Sequence, residues 1–382
     1  MVTTTFSPNN LSLYIHLPFC RKKCPYCSFY VIPYKEEVAN QYIQTLKAEW
    51  SLYASQFKGC HLVSLYFGGG TPSLHPQGIS ELITFFKGYF DLSQTEITVE
   101  VNPEDGNKAL FTLLKQSGVN RLSLGAQTLS NPLLHQIGRA HSTQTTESSI
   151  KQAQDLGLTN ISIDLMTEIP DQTLSDVANT LDKIEALNVT HLSLYNLQIE
   201  KGTSFYKHKK AILAKTVDSS VGAQMLQTCV EKLTQIGFNR YEISAFCKPG
   251  FTSKHNVGYW IGRDFLGLGA SSFSYLKGRR FQNVANINKY EKQVLAGIKP
   301  ISFDEQLSQK GSLLELLALH LRLTEGFCLN AFEQQHGQLP SSTYRELERL
   351  VAEGLVNKQD SSFALSSKGT LFFDDVAPRV IA

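Results

Sequence analysis

Three cysteines lie within eight residues near the start of the chain: Cys20, Cys24 and Cys27, in the spacing CxxxCxxC. A structural zinc site usually takes four ligands in CxxC pairs, and nearby His16 falls on a predicted strand rather than in the cysteine loop. Three thiolates suit a [4Fe-4S] cluster that leaves one iron open to a small molecule. The spacing therefore favours an iron–sulfur cluster over a zinc site and over unrelated cysteines.

Other chemically capable residues lie where predicted strands end. Runs rich in Leu, Ile, Val and Tyr alternate with helical stretches, and these runs cover residues 11–17, 61–67, 96–101, 121–126, 160–166 and 191–197. This alternation predicts a parallel α/β sheet, and six units favour a partial (β/α)6 TIM-like barrel over a doubly wound sheet. Parallel α/β folds place their chemistry at the carboxyl ends of the strands. The residues at those ends are Cys20, Gly68–Pro72, Glu100, Asn102, Gln127, Asp164 and Gln198. We therefore expect one functional site on one rim of the barrel.

Composition excludes several classes of protein. The chain has 382 residues and 42% hydrophobic residues, enough for a large core, so the bulk of it is not disordered. Its 36 Lys and Arg nearly balance its 34 Asp and Glu, which argues against a dedicated nucleic-acid binder. No apolar run is long enough for a membrane helix, and Met1–Asn10 lacks the features of a signal peptide. We expect a cytoplasmic protein with free cysteines rather than disulfides.

The pattern along the chain predicts three parts. Residues 1–205 form the barrel, and residues 206–300 extend it with a further predicted strand at residues 241–246. Residues 301–382 form a small domain of helices and a hairpin that resembles a winged helix. Winged helices often bind DNA, but basic residues do not accumulate on the predicted helix 344–353, so we expect no nucleic-acid partner.

Two features resemble the radical S-adenosylmethionine (SAM) superfamily: the CxxxCxxC spacing with Tyr26 before the third cysteine, and the GGGTP segment Gly68–Pro72. The resemblance implies that the open iron chelates SAM and that the reduced cluster passes one electron to the sulfonium, which releases a 5′-deoxyadenosyl radical. Arg21, Lys22 and Lys23 in the cluster loop would attract a flavodoxin-like electron donor. The alternative is that these three cations serve solubility and tune the cluster potential.

A second resemblance covers residues 11–375 and concerns the oxygen-independent coproporphyrinogen III oxidase group. It rests on YIHLPFC (14–20), VEVNPED (99–105), GVNRLSLGAQ (118–127), IDLMTEIPDQT (163–173) and HLSLYNLQIEKGT (191–203). That group contains true dehydrogenases, which decarboxylate two propionates of coproporphyrinogen III with two SAM molecules. It also contains HemW-type haem chaperones, which bind haem and pass it to respiratory enzymes.

Two features separate these branches. The dehydrogenases carry a fourth cysteine two residues after the third, where this chain has Phe29. The chaperones carry an HNxxYW motif, which here is His255–Trp260. Both features favour a haem chaperone, with a coproporphyrinogen III dehydrogenase as the alternative. A radical SAM enzyme acting on another substrate is a third reading, because the matched SAM residues suggest that SAM cleavage is retained.

The motif also makes physical sense. A neutral imidazole at His255 is a good axial ligand for haem iron, and Tyr259 and Trp260 offer faces for stacking on a porphyrin. Asn256 would fix the ring orientation through a hydrogen bond. The alternative is an ordinary packed histidine with two packed aromatic residues.

The resemblance also assigns SAM contacts by position. Arg139 would pair with the SAM carboxylate and Asp164 would accept from the ribose hydroxyls, with structural roles as the alternative. The full set of positions is Tyr14, Tyr26, Gly69, Gly70, Thr71, Glu100, Gln127, Arg139 and Asp164. The match at Gln198 is weaker, so the number of SAM molecules stays open.

The same resemblance implies the partners. They are haem, respiratory haem proteins as acceptors, and a flavodoxin-like donor, and the family allows a homodimer. Any membrane contact would be peripheral, at the inner face and through a partner enzyme.

Overall fold

The computed structural model describes residues 9–382. Six strands form a continuous parallel sheet in chain order, each paired with the next. They are β1 (Asn10–Leu17), β2 (His61–Gly69), β3 (Glu96–Val101), β4 (Arg121–Gln127), β5 (Ile161–Thr167) and β6 (His191–Asn196). Helices cover the outside: α1 (Glu36–Ser51), α2 (Pro76–Lys87), α3 (Lys108–Ser117), α4 (Asn131–Gln136), α5 (Thr143–Asp155) and α6 (Leu174–Leu187). The predicted parallel α/β barrel is confirmed.

Alternation along the strands explains how the barrel packs. In β1, Leu13 and Ile15 are fully buried and belong to one core with the covering helices. The alternate residues of the strands are polar and contact one another across the inner face, as Ser64 does with Ser12. Because side chains alternate between the two faces of a strand, the apolar set faces the helices and the polar set faces the lumen.

The sheet continues beyond the six strands on both sides. After α7 (Ser204–Lys207), α8 (Lys209–Leu213) and α9 (Ser219–Gln235), the hairpin β7 (Asn239–Glu242) and β8 (Ala245–Cys247) joins β6 through β8. On the other side, α10 (Lys254–Trp260) is followed by β9 (Phe265–Leu268), which pairs in parallel with β1. Three antiparallel strands continue the sheet from β9: β10 (Phe273–Leu276), β11 (Arg279–Asn283) and β12 (Ile301–Gln306). The helix α11 (Ile287–Leu295) lies between β11 and β12 in the chain. The order β12-β11-β10-β9-β1-β2-β3-β4-β5-β6-β8-β7 gives the described residues an open barrel with β12 and β7 as its edges.

The C-terminal residues have their own core, which includes Leu317, Leu347 and Val376. The elements are α12 (Gln309–His320), β13 (Phe327–Cys328), α13 (Leu329–His336), α14 (Ser341–Ala352), β14 (Val356–Gln359), β15 (Ser362–Leu365), α15 (Ser367–Leu371) and α16 (Phe373–Ile381). The first six follow the winged-helix order of helix, strand, two helices and hairpin, so the expected resemblance is confirmed. The boundaries at residues 205 and 300 stay predictions.

Shorter elements complete the fold. Phe19–Cys20 pairs in parallel with Ile32–Pro33, and 3-10 turns cover Ala54–Phe57, Pro72–Leu74 and Pro103–Asp105. Within the described part of the chain, no helix combines the length and apolarity needed to cross a bilayer. The expectation about a signal peptide falls mainly on residues 1–8, which lie outside the described residues.

A buried carboxylate fastens the extension to the barrel. Glu49 on α1 accepts hydrogen bonds from Tyr290 Oη at 2.6 Å, Gly269 N at 2.7 Å and Asn283 Nδ2 at 2.5 Å, and it is fully buried. Burial raises its pKa from 4.5 to about 7, although the hydrogen bonds oppose this shift. The carboxyl group therefore joins α1 to α11 and to the loop after β9.

Replacing Glu49 by alanine is expected to lower the free energy of unfolding by about 3 kcal/mol, because three buried donors lose their acceptor. The unfolded carboxyl ionises near 4.5 and the folded one near 7, so wild-type stability falls as the pH rises between these values. Glu49→Ala lacks this component, so its loss of stability is expected to be larger at pH 5 than at pH 8 in anaerobic urea unfolding. Glu37→Ala, exposed on the same helix, should change stability by less than about 0.5 kcal/mol. Equal stability of Glu49→Ala and wild type would contradict this account.

Candidate functional site

A cavity of about 440 Å³ lies at the carboxyl ends of the barrel strands. Its walls include every residue predicted to bind the cluster or SAM except Tyr14, namely Cys20, Cys24, Cys27, Tyr26, Gly69, Gly70, Thr71, Glu100, Gln127, Arg139 and Asp164. Of the other residues expected on this rim, Pro72, Asn102 and Gln198 also line the cavity, and Gly68 does not. The structure thus brings the strand-end residues together, while their individual roles stay predictions.

The cysteine loop leaves β1 and forms one wall of the cavity. Cys20, Cys24 and Cys27 are each half-buried free thiols, and Cys20 Sγ lies 3.4 Å from Thr71 Oγ1 on the glycine loop. Burial raises the pKa of Cys20 and of Cys27. Among residues 9–382, no three His, Cys, Asp or Glu side chains converge closely enough to hold a single metal ion. A multi-iron cluster has a separate iron for each thiolate, so this arrangement fits a cluster better than one zinc ion.

Arg139, from the loop after α4, supplies a cation beside the cysteine loop. Its Nη1 lies 3.7 Å from Cys24 Sγ, and its Nη2 donates to Asn102 Oδ1 at 2.9 Å and to the Gly125 carbonyl at 2.8 Å. Its Nε is buried without a hydrogen-bond partner among the described residues. An unused buried donor on a fixed guanidinium is suited to an anionic group in the cavity.

The glycine loop at the end of β2 fits closely against β1 and the cysteine loop. A Cβ atom on Gly69, whose φ is +113°, would lie 2.6 Å from the His16 ring, and a Cβ on Gly70 would lie 2.6 Å from the Phe19 carbonyl oxygen. Both positions therefore need glycine to hold the loop where it is. The Gly69 N–H is not directed to solvent, since it donates to Glu100 Oε2 at 3.1 Å.

Two carboxyl groups lie at the base of the cavity. Burial raises the pKa of Glu100 from 4.5 to about 7, and the charge of Asp164 adds to this, while hydrogen bonds from Tyr66 Oη at 2.9 Å and Gly69 N oppose it. Burial also raises the pKa of Asp164, which accepts from Ser123 Oγ at 3.3 Å. These two acceptors face a cavity that also contains the Arg139 cation, so the site is suited to a zwitterionic ligand.

Tyr14 lies behind the cavity rather than on its wall. Its Oη and His16 Nδ1 are 3.0 Å apart, and its ring stacks on Tyr66 with centroids 6.1 Å apart. The sequence reasoning missed Tyr66, which orients Glu100. The available signal was its position among the alternate polar residues of β2, two residues after Ser64.

The HNxxYW motif forms α10, which contacts the inner face of the barrel. The helix begins at the Glu96 carboxylate, which accepts from Lys254 N at 2.9 Å and from His255 N at 3.0 Å. His255 is 2% exposed, and both of its ring nitrogens are engaged: Nδ1 lies 2.8 Å from Ser64 Oγ and Nε2 lies 2.8 Å from Tyr259 Oη. Burial lowers the pKa of His255 to about 3, so the imidazole is neutral.

The other two motif residues differ in their surroundings. Asn256 is half-buried, and its backbone N–H donates to Ser253 Oγ at the start of α10. Trp260 is half-buried beneath the Arg322 guanidinium, which lies 4.2 Å from the ring centroid. Its indole Nε1 is buried without a partner among the described residues. Because Tyr259 Oη lies 2.8 Å from His255 Nε2, haem ligation by this nitrogen requires the imidazole to leave the Tyr259 hydroxyl.

Comparisons with known proteins agree with this architecture. The radical SAM superfamily model matches residues 14–184, and the HemN C-terminal domain model matches residues 307–372. A protein named heme chaperone HemW from Lactococcus lactis is 33% identical over 361 residues, which is 94% of either chain. Its namesake from Bacillus subtilis is 31% identical and covers 96% of this chain and 97% of that one. The solved structure of coproporphyrinogen III oxidase (HemN) from Escherichia coli, described as a radical SAM enzyme, is 25% identical with a TM-score of 0.85. It covers 98% of this chain and 91% of that one.

Proposed function

The chain belongs to the HemW family of the radical SAM superfamily, and we propose that it is a haem chaperone that binds haem and delivers it to respiratory haem proteins. The observation that carries the proposal is the near-full-length similarity to proteins named heme chaperone HemW. The proposal includes a [4Fe-4S] cluster on Cys20, Cys24 and Cys27, and SAM in the adjoining cavity.

The side chains of the cavity support the two cofactors. A bound cluster would supply one electron to SAM, and the three half-buried thiols would be its protein ligands. Arg139 would bind the SAM carboxylate through its unused Nε, while Glu100 and Asp164 would accept from the SAM amino group and ribose hydroxyls. Tyr26 and Gln127 also line the cavity and would limit the access of water.

The alternative activity, coproporphyrinogen III dehydrogenase, lacks support at one position. Phe29 occupies the place of the fourth cysteine, and it is 64% exposed at the cavity wall. A phenyl ring offers neither a thiol donor nor a thiolate. We therefore expect no protoporphyrinogen IX when the reconstituted protein is incubated anaerobically with SAM, a reductant and coproporphyrinogen III. Its formation would overturn the chaperone proposal in favour of the dehydrogenase.

The proposed haem ligand is His255, with Asn256, Tyr259 and Trp260 beside it. A neutral imidazole is the form that binds haem iron, and burial keeps His255 in that form. Its Nε2 is paired only with the Tyr259 hydroxyl among the contacts described above. Rotation of the imidazole away from Tyr259 would free this nitrogen without unfolding α10.

Replacing His255 by alanine is expected to weaken haem binding by at least about tenfold, or about 1.4 kcal/mol, and to change the Soret band. Haem titration followed by absorbance measures both effects. His191→Ala is a matched control, because His191 is also buried in the barrel, with Ser162 Oγ 2.7 Å from Nδ1 and Tyr241 Oη 2.9 Å from Nε2. We expect His191→Ala to bind haem as wild type does. Unchanged affinity and spectrum in His255→Ala would show that His255 is not the ligand.

The remaining partners are proposals of the same kind. Lys22 and Lys23 line the cavity beside the cysteine loop, and they would attract an acidic, flavodoxin-like electron donor. Arg21 is paired with Asp105, so it contributes less free positive charge. We further propose a cytoplasmic location and a homodimer, in line with the family.

A further inference from the structure

The haem motif and the SAM cavity are joined by a stack of rings inside the barrel. The His255 imidazole lies 4.7 Å from the Tyr66 ring, with 28° between the planes. The Tyr14 ring also stacks on Tyr66, with ring centroids 6.1 Å apart. We infer that Tyr66 is a positioning residue that couples the two sites, so that haem and SAM bind antagonistically. This inference rests on the proposed function, because it needs haem at His255.

Tyr66 connects the stack directly to the cavity. Its hydroxyl donates to Glu100 Oε1 at 2.9 Å, and Glu100 Oε2 accepts from the Gly69 N–H at 3.1 Å. Glu100 and Gly69 both line the SAM cavity, whereas Tyr66 does not. The orientation of the Glu100 carboxylate therefore depends on the Gly69 N–H and on the Tyr66 hydroxyl, and the ring of Tyr66 is packed against the haem motif.

A second set of contacts leads from the same stack to the cysteine loop. Tyr14 Oη lies 3.0 Å from His16 Nδ1, and His16 Nε2 lies 3.1 Å from the Tyr30 carbonyl oxygen, three residues after Cys27. This set passes through the backbone of the loop rather than through a carboxylate. We assign the larger share of the coupling to Tyr66, because its hydroxyl contacts a cavity-lining side chain.

The sign of the coupling follows from which arrangement each ligand needs. In the present structure Tyr259 and Ser64 hold the imidazole on Tyr66, and Tyr66 in turn holds Glu100 towards the cavity. Haem ligation turns the imidazole away from Tyr259, so Tyr66 keeps only Tyr14 as a ring partner and its hydroxyl no longer holds Glu100 in the present orientation. SAM favours the first arrangement and haem the second, and by linkage each ligand weakens the other by the same factor.

The test is a pair of anaerobic titrations of the reconstituted protein. The dissociation constant of SAM is measured by equilibrium dialysis without haem and with saturating haem, and that of haem is measured without and with saturating SAM. Couplings between sites typically amount to about 5- to 150-fold, and we expect each constant to rise by about tenfold. If both ligands bind but neither dissociation constant rises in the presence of the other ligand, the coupling is overturned and the chaperone proposal stays intact. Failure of the wild type to bind haem would overturn both.

Tyr66→Phe tests the assignment to one hydroxyl. The phenyl ring keeps the stack on His255 but cannot donate to Glu100, so we expect each ligand still to bind alone while the coupling factor falls towards one. Tyr290→Phe is the matched control, because Tyr290 also donates from a buried hydroxyl to a buried carboxylate, that of Glu49, on the outer side of the barrel. It should keep the wild-type factor. An unchanged factor in Tyr66→Phe, or an equal fall in Tyr290→Phe, would overturn the role of Tyr66.

Discussion

Cys24→Ala is expected to lower the iron content of the anaerobically reconstituted protein from about four atoms per chain to near zero and to abolish SAM cleavage. Cys24 is one of three thiols on the cavity wall, and the other cysteines of residues 9–382 do not line this cavity. Its removal leaves two protein ligands for the cluster and leaves the Arg139 guanidinium without the Cys24 sulfur at 3.7 Å. Iron analysis and release of 5′-deoxyadenosine measure the two effects.

Cys328→Ala is the control for this substitution. Cys328 is an exposed free thiol on β13, where its Sγ lies 3.3 Å from Ser361 Oγ. Its loss tests whether any free thiol affects reconstitution, and we expect full iron content and unchanged cleavage. About four irons per chain in Cys24→Ala, with the spectrum of the wild type, would contradict the assignment of the cluster to this loop.

The central sheet could be predicted because each of its strands carries its own signal. The run EITVEV at residues 96–101 alternates polar and β-branched apolar residues and has turn-forming residues around it, and the observed β3 has the same bounds. The flanking strands lack such a signal. β11 reads RRFQN, and β9 has a glycine in its middle. Their strand conformation comes from pairing with distant segments, as β9 does with β1, and a local pattern cannot show that.

One predicted strand was wrong in detail for a related reason. Residues 241–246 were expected to form a single strand, but a turn divides this region into β7 and β8, which pair with each other. The turn places Ala245 opposite Ser193 of β6. Glu242 before the turn and Ser244 within it alternate with apolar residues, which gives the sequence the appearance of one continuous alternating run.

The residues on the rim of the candidate site could be predicted from topology, but the burial of His255 inside the barrel could not. Parallel strands bring their carboxyl ends together, so Glu100 and Asp164 were expected to share a site with the cysteine loop. The burial of His255 depends on its contact with Ser64, 191 residues earlier in the chain. No sequence pattern shows that contact, and it means that His255 is buried and must be released before it can bind haem iron.

Gly69→Ala is expected to weaken SAM binding by about 100-fold or more, because its new methyl group would lie 2.6 Å from the His16 ring and strain of a few kcal/mol converts to such factors. The residue also has φ +113°, a conformation that alanine rarely adopts. Movement of the loop would remove the Gly69 N–H from Glu100 and shift Thr71 away from Cys20. Equilibrium dialysis with SAM, together with urea unfolding, separates lost affinity from lost stability.

Gly59→Ala distinguishes the two causes of that loss. Gly59 has φ +81°, but a Cβ atom there would meet nothing within 4 Å. The alanine variant therefore has the backbone strain of a positive φ, about 1 kcal/mol, without a steric collision. Gly59 also lies outside the cavity wall. We expect slightly lower stability and wild-type SAM affinity. If Gly69→Ala bound SAM as tightly as Gly59→Ala does, the close fit between the glycine loop and β1 would not be what positions Glu100 and Thr71 for SAM.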